Sequence, residues 1–236
     1  MTPSHRGAST PPVTDPEAAN APLIGRIGTD ESGKGDYFGP LVIAAVWADP
    51  ATEDLMRGWG VTDSKKLSDS RARSLAQQIV GNGIPTAIVT IGPEKYNELY
   101  AKMKNLNRLL AWGHARAIEN LLEKVAADVV VTDQFGDPAL VERALLEKGR
   151  KVTLNQMHRA ERDIVVAAAS VMARAEFLRR LESLSQTVGL TLPKGAGPAV
   201  DEAGARLLAR GGVALLGTVA KCHFKNTQKA QKISLR

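Results

Sequence analysis

Four acids and a lysine-bearing glycine loop are the residues here whose types and spacing can do chemistry. Between Gly28 and Pro40 the chain crowds three acids, four glycines and Lys34 between two apolar runs. Asp30 falls where the first run, about Leu23 to Thr29, ends as a strand, and Glu31 follows as the backbone enters the loop. Adjacent side chains alternate across a regular strand, but at a strand end entering a turn they can converge. Asp133 closes a second run, Asp128-Val-Val-Val-Thr-Asp133, and Asp163 stands in the first turn of a long helix. Four carboxylates gathered in one place repel each other and lose hydration unless cations compensate them. Oxygen-only ligands favour Mg2+ or Mn2+ over zinc. Two such ions, about 3.5 to 4 Å apart, can activate a water and stabilise the leaving oxygen in phosphodiester cleavage.

Each acid also has an ordinary use. Asp163 can serve its helix dipole, and Asp133 can end a strand or bind a neighbouring amide. Glu31 beside Asp30 is harder to assign to a turn, because a loop that only reverses the chain has no need of both. The same stretch nearly spells a P-loop: Gly28, four residues, Gly33, Lys34, and then a position that needs Ser or Thr. Gly35 stands there, with no hydroxyl for magnesium. Asp30 and Glu31 would also repel the phosphates that loop amides must attract. Gly39-Pro40 then interrupts the chain ahead of a strand rather than opening a helix. The valine run before Asp133 imitates a Walker B strand, but without a sound P-loop it carries little weight.

The elements that must position these acids follow from periodicity. Leu41 to Trp47 is a continuous apolar run, a strand buried on both faces and paired antiparallel with the first, which puts the glycine loop at one edge of a sheet. Ser68 is the expected N-cap of a helix to about Val80, and Ile84 to Ile91 a third strand. From Pro93 to about Lys124 the pattern is two helices broken near Lys104-Asn105, with Leu106, Leu109, Leu110, Ile118, Leu121 and Leu122 as the apolar stripe. Asp137-Pro138 opens a helix to about Glu147, and Lys151 to Asn155 is a short fifth strand. A helix from about Glu161 to Ser185 carries small residues at Ala167 to Ser170, where another backbone can approach closely. A lysine-bearing loop, Thr187 to Pro198, precedes a last helix from about Asp201 to Arg210. Paired strands followed by helices alternating with single strands make an α/β fold, a mixed sheet flanked by helices.

Composition sets the surroundings. At 236 residues and 44% hydrophobic the chain can bury one sizeable core. Residues 1–21, rich in Pro, Ala, Ser and Thr, read as a disordered leader, 22–228 as the main domain and 229–236 as a basic tail. The net charge is +6 and the pI about 9.5, which favours a polyanionic partner. Lys221 to Arg236 holds five basic residues and no acid, either a handle for a phosphate backbone or a solvated tail. Cys222 is the only cysteine, which excludes an internal disulfide and a cysteine zinc site. No apolar run reaches the length of a bilayer span and no secretory signal opens the chain. The expectation is a cytoplasmic monomer without a membrane partner.

Several blocks together resemble the type 2 ribonucleases H, specifically the ribonuclease HIII branch. They are Asp30-Glu-Ser-Gly-Lys-Gly-Asp-Tyr-Phe-Gly-Pro40, Asp63-Ser-Lys-Lys-Leu67, Asn105-Leu-Asn-Arg-Leu-Leu-Ala-Trp-Gly-His114, Thr132-Asp133, Ala167-Ala-Ala-Ser170 and Ala220-Lys-Cys-His-Phe-Lys225. The likeness implies a ribonuclease H-like sheet with a helical C-terminal portion. It implies an acidic metal-binding tetrad of Asp30, Glu31, Asp133 and Asp163 holding two Mg2+ or Mn2+ ions with substrate. The implied reaction is endonucleolytic hydrolysis of RNA in an RNA/DNA hybrid, leaving 5′-phosphate and 3′-hydroxyl ends. Ser32, Gly33, Lys34, Gly35 and Tyr37 are then the substrate loop, the two glycines allowing backbone to approach a ribose whose 2′-hydroxyl marks RNA. Related HII enzymes read Gly-Arg-Gly there and use a tyrosine at RNA-DNA junctions, so Lys34 with Tyr37-Phe38 predicts cleavage within ribonucleotide runs. Ser64, Lys65, Lys66 and Lys194 are the expected phosphate contacts. The branch commonly carries an N-terminal domain resembling the TATA-binding protein, for which the residues before Leu23 are too few. His114, His158 and His223 invite an acid or base role, but metal chemistry requires none of them, and they read as structural or surface residues.

Overall fold

The computed structural model describes residues 25–134, 137 and 139–235. Residues 1–24, 135, 136, 138 and 236 lie outside them, and with them the expected leader, the start of the first expected strand at Leu23, and Pro138. In chain order the elements are β1 (Arg26–Ser32), β2 (Leu41–Ala48), α1 (Pro50–Gly58), α2 (Asp69–Gly81), β3 (Thr86–Ile91), α3 (Pro93–Met103), α4 (Leu106–Leu122), β4 (Val129–Asp133), α5 (Ala139–Ala144), β5 (Thr153–Met157), α6 (Ile164–Val188), α7 (Pro198–Val219) and α8 (Lys225–Ser234). Short 3-10 turns at Ser64–Lys66, Gly149–Lys151 and Ala160–Arg162 connect them.

The five strands form one mixed sheet in the order β3-β2-β1-β4-β5. β1 runs antiparallel to β2 and parallel to β4, so it is the central strand, and the glycine loop emerges from the middle of the sheet rather than an edge. β2 is buried on both faces because its side chains alternate between two cores. Val42, Ala44 and Val46 share one core with α2, α6 and α7, while Leu41, Ile43 and Ala45 share the other with α3 and α4. α6 lies so close over β1 that a Cβ on Gly28 would come within 2.4 Å of the Val165 and Val166 backbone. A close approach therefore occurs immediately before Ala167–Ser170, with the glycine on the strand.

Helix ends agree with local chemistry. Ser68 caps α2 by accepting from Arg71 N, and Asn105 caps α4 by accepting from Arg108 N. Lys104, in the left-handed region at φ 50°, separates α3 from α4. Several elements differ from expectation. α1 is an additional helix, started by the Asp49 cap and Pro50. α5 ends at Ala144, where the buried Glu119 carboxylate takes over the backbone, accepting from Leu146 N, Lys148 N and Gly149 N. Asp163 is the N-cap of α6, not a residue of its first turn. α7 continues past Arg210 through a kink at Gly211 and Gly212, and Lys225–Ser234 is helical, packed through Asn226 and Ala230, while residues 231–235 of the expected basic tail are exposed. No described helix is long and apolar enough to cross a membrane.

Candidate active site

Strand register brings the first three acids together. β1 and β4 are paired as far as Thr29↔Thr132, which makes Asp30 and Asp133 neighbours just beyond. Asp30 and Glu31 remain paired with β2 at Ala44 and Ile43, so both still belong to β1. Their side chains alternate, yet both reach one cleft because the cleft crosses the end of the sheet. Asp30, Glu31 and Asp133 line this cavity of about 490 Å3, together with Lys34, Lys65, Lys194 and Arg174.

Each carboxylate has a distinct environment. Burial, followed by the Glu31 charge, pushes the Asp30 carboxyl up to about 7. Glu31 is equally enclosed, but the His114 bond and then Lys34 outweigh burial and hold it down at about 2. Lys34 Nζ lies 3.3 Å from Glu31 Oε1. Asp133 Oδ1 accepts from Ala160 N at 3.3 Å, tying the end of β4 to the turn before α6. Glu119 shows what a buried acid looks like when it serves structure alone, since three backbone N–H groups satisfy it.

Behind Glu31 lies His114, fully buried on α4. Its Nε2 is 3.3 Å from Glu31 Oε2, and its Nδ1 is 2.8 Å from Thr29 Oγ1 and 3.4 Å from Thr132 Oγ1. A carboxylate only accepts, so Nε2 carries a proton and donates to Glu31, while Nδ1 shares a hydrogen bond with the Thr29 hydroxyl, which can serve as donor or acceptor. The sequence shows the histidine but not this contact, which spans two strands and a helix. His158 and His223 take no such place: His158 is exposed, and His223 stacks on Tyr100 with ring centroids 4.0 Å apart.

The fourth expected acid stands apart. Asp163 does not line the cleft; Oδ2 pairs with Arg26, and Oδ1 accepts from Val165 N and Val166 N. Among the described residues no group of three His, Cys, Asp or Glu side chains is drawn together tightly enough to enclose an ion. The cleft is a wall of carboxylates, not a closed cage. That fits a hard cation of the Mg2+ class, which keeps several waters and is bound through one or two carboxylates plus substrate phosphate. The Asp30 carboxyl, raised by burial and then by the ionised Glu31, is a second mark of fit, since a cation would compensate both.

The glycine loop is held from below. Lys221 is buried, and its Nζ donates to the carbonyls of Asp36 (2.8 Å) and Gly39 (2.6 Å), while its backbone N donates to Tyr37 O. Asp36 Oδ1 accepts from Gly195 N at 2.6 Å, clipping on the loop that carries Lys194. Gly33, at φ 86°, is required by the fold itself: a Cβ there would sit 2.1 Å from Pro40 O. Gly35 is exposed and open, so only the second glycine offers its backbone to a ligand.

Other expected contacts divide. Ser32, Lys34, Ser64, Lys65 and Lys194 line the cleft, although Ser64 Oγ is already bonded to Ser170 Oγ at 2.8 Å and Lys194 is paired with Asp69. Tyr37, expected at the substrate, is instead fully buried, its hydroxyl 3.1 Å from Thr227 Oγ1 and its ring against Phe38. A Tyr following three polar loop residues reads as exposed until α8 and Phe224 are in place to cover it. Lys66 lines a different hollow from the acids. Arg174 was not singled out in the sequence, though it lies four residues after Ser170 on one helical face. It donates to Ser64 O and Asp69 Oδ1 and helps wall the cleft.

Residues 27–227 match the ribonuclease HII family. The chain is 48% identical over 203 residues to ribonuclease HIII of Protochlamydia amoebophila (strain UWE25), covering 86% of this chain and 67% of that one. It is 39% identical over 215 residues to ribonuclease HIII of Bacillus subtilis (strain 168), covering 88% and 68%. It thus spans about two thirds of the length of these curated relatives. Among solved structures it resembles Bst-RNase HIII in complex with Mn2+, with a TM-score of 0.83 and 34% identity over 98% of this chain and 76% of that one.

Proposed function

The chain belongs to the ribonuclease HII family, in its ribonuclease HIII branch, and from that premise we infer how its own residues carry the family's reaction. It is a metal-dependent endoribonuclease that hydrolyses the RNA strand of RNA/DNA hybrids, with Mg2+ or Mn2+ as cofactor. The observation that carries the residue assignment is the adjacency of Asp30, Glu31 and Asp133 at the middle of the sheet, in a cleft rimmed by Lys34, Lys65 and Lys194. Asp30, Glu31 and Asp133 would hold the divalent ions, and Asp163 would join them on giving up Arg26. When bound, the ions supply an activated water and stabilise the departing oxygen, which leaves 5′-phosphate and 3′-hydroxyl ends. His114 fixes the direction of the Glu31 carboxylate. The lysines receive strand phosphates, and the open backbone at Gly35 approaches the ribose. Tyr37 lies beneath the loop, with no ring surface free to stack on a nucleotide, which favours cleavage within ribonucleotide runs over cleavage at a lone junction.

Two matched duplexes test this assignment in Mg2+ and then Mn2+: a full RNA/DNA hybrid and a DNA duplex with one embedded ribonucleotide. Cutting confined to the hybrid is expected. Equally efficient cutting beside the lone ribonucleotide would overturn the role given to the loop.

A further inference from the structure

A second hollow, about 290 Å3, opens beside the acidic cleft and holds neither Asp30, Glu31 nor Asp133. Lys66, Arg159 and Arg162 surround it with Glu161 as the one acid, an excess of positive charge. All three cations are exposed, and among the described residues none of them forms an ion pair. Elsewhere on the surface many arginines are neutralised locally, as Arg57 is by Asp54 and Arg179 by Glu176. Arg159 is also one of two described non-glycine residues with positive φ, at 57°. A left-handed arginine is strained and persists only where surrounding contacts enforce it.

The hollow is built from the same turn as the acids. Ala160 N donates to Asp133, and Asp163 N donates to Ala160 O, so the Arg159–Asp163 turn carries cations on one side and is bonded to two acids on the other. The two spaces also follow one another along α6. Ile164 and Ala167 line the hollow, while Ser170, Arg174, Phe177 and Leu178 line the cleft. At 1.5 Å of rise per residue the two centres lie about 14 Å apart along that helix. Lys65 and Lys66, consecutive in the 3-10 turn, place one ammonium in each space. A polyanion whose reacting phosphate occupies the cleft therefore brings a different phosphate over the hollow, since duplex phosphates recur about every 3.4 Å of axis on each strand.

We propose that Lys66, Arg159 and Arg162 form a second phosphate-binding subsite, which grips the RNA/DNA hybrid away from the bond that is cut. It rests on the hybrid-cleaving function given above. Unpaired guanidiniums suit phosphate oxygens, which they meet with two parallel N–H donors. The subsite contributes to affinity and register, with no part in the chemical step.

The test uses Arg159→Gln/Arg162→Gln and Lys66→Gln in the full chain, with Lys124→Gln as control. Lys124 bonds Thr86 O at the opposite end of the sheet from Asp30. Hybrid affinity is measured against salt in Ca2+, cleavage in Mn2+, and Mn2+ binding by electron paramagnetic resonance. The expected result is a log Kd against log salt slope shallower by about two units in the double variant and about one in Lys66→Gln. Cleavage at saturating hybrid, Mn2+ affinity and Tm stay at parental values, and Lys124→Gln keeps the parental slope. An unchanged slope in the double variant, or the same loss in Lys124→Gln, overturns the subsite while leaving the hybridase assignment intact. A parent that neither binds nor cuts hybrid would overturn that assignment first.

Discussion

The two sides of the cleft are built on opposite terms. The acids stand on paired strands, enclosed and aimed by fixed partners: Asp133 by Ala160 N, Glu31 by His114. The lysines stand on loops and turns at the rim. Lys34 and Lys194 side chains keep 39% and 47% of their surface exposed, and each is paired with an acid that it can exchange for phosphate. Chemistry at a phosphodiester demands oxygens fixed to fractions of an ångström, whereas attraction of a polyanion acts through water over several ångströms. Rigid placement therefore went to the sheet, and charge on long flexible stems went to the rim.

The largest expected break in this contrast is Asp133→Asn. It should lower cleavage at saturating hybrid about a thousand-fold or more, close to 4 kcal/mol in the barrier, while hybrid binding in Ca2+ stays within a few-fold. A variant that cuts at the parental rate would remove Asp133 from the chemistry. Next comes His114→Ala, which removes the histidine donor from Glu31 Oε2 and should weaken Mn2+ binding about 10- to 100-fold. The readout is the rise in Tm on adding Mn2+, which should shrink in the variant; an undiminished rise would reduce His114 to a packing residue.

Lys221→Met sharpens the comparison from beneath, because here a lysine is used as rigidly as the acids. Removing it strands the Asp36 and Gly39 carbonyls and should cost about 2 to 4 kcal/mol in urea unfolding. Burial, partly offset by the Asp36 charge, pushes the Lys221 amine down to about 7 from 10.5. Between those values the unfolded chain binds more protons, so parental stability should rise with pH across that window. Lys221→Met should lack this increment; equal pH slopes in the two proteins would show that the amine does not titrate there. The smallest effect belongs to Lys194→Gln. It should raise KM about two- to five-fold at moderate salt with kcat unchanged and lower the salt slope by about one unit or less. A fall in kcat would move Lys194 from the rim into the chemistry.

The sequence by itself determined most of the fold. The double-faced burial of β2, the caps Ser68 and Asn105 and the break at Lys104-Asn105 are local, because apolar period and capping oxygens act within a few residues. It also marked Asp30, Glu31 and Asp133, since acids at the ends of apolar strands stand out against their neighbours. What it left open depended on contacts across the chain. The position of β1 at the centre of the sheet followed from parallel pairing with β4, about a hundred residues away. Tyr37 looked like a loop residue until α8, close to two hundred residues on, covered it, and Lys221 looked like part of a basic tail until its amine met the loop carbonyls. Asp163 had two expected uses, the α6 dipole and an acidic site, and in the fold it caps α6 and pairs with Arg26 from β1 outside the cleft lining. Local preference chooses which elements form; only tertiary packing decides which polar groups are buried, and a buried polar group must take whichever partner that packing brings.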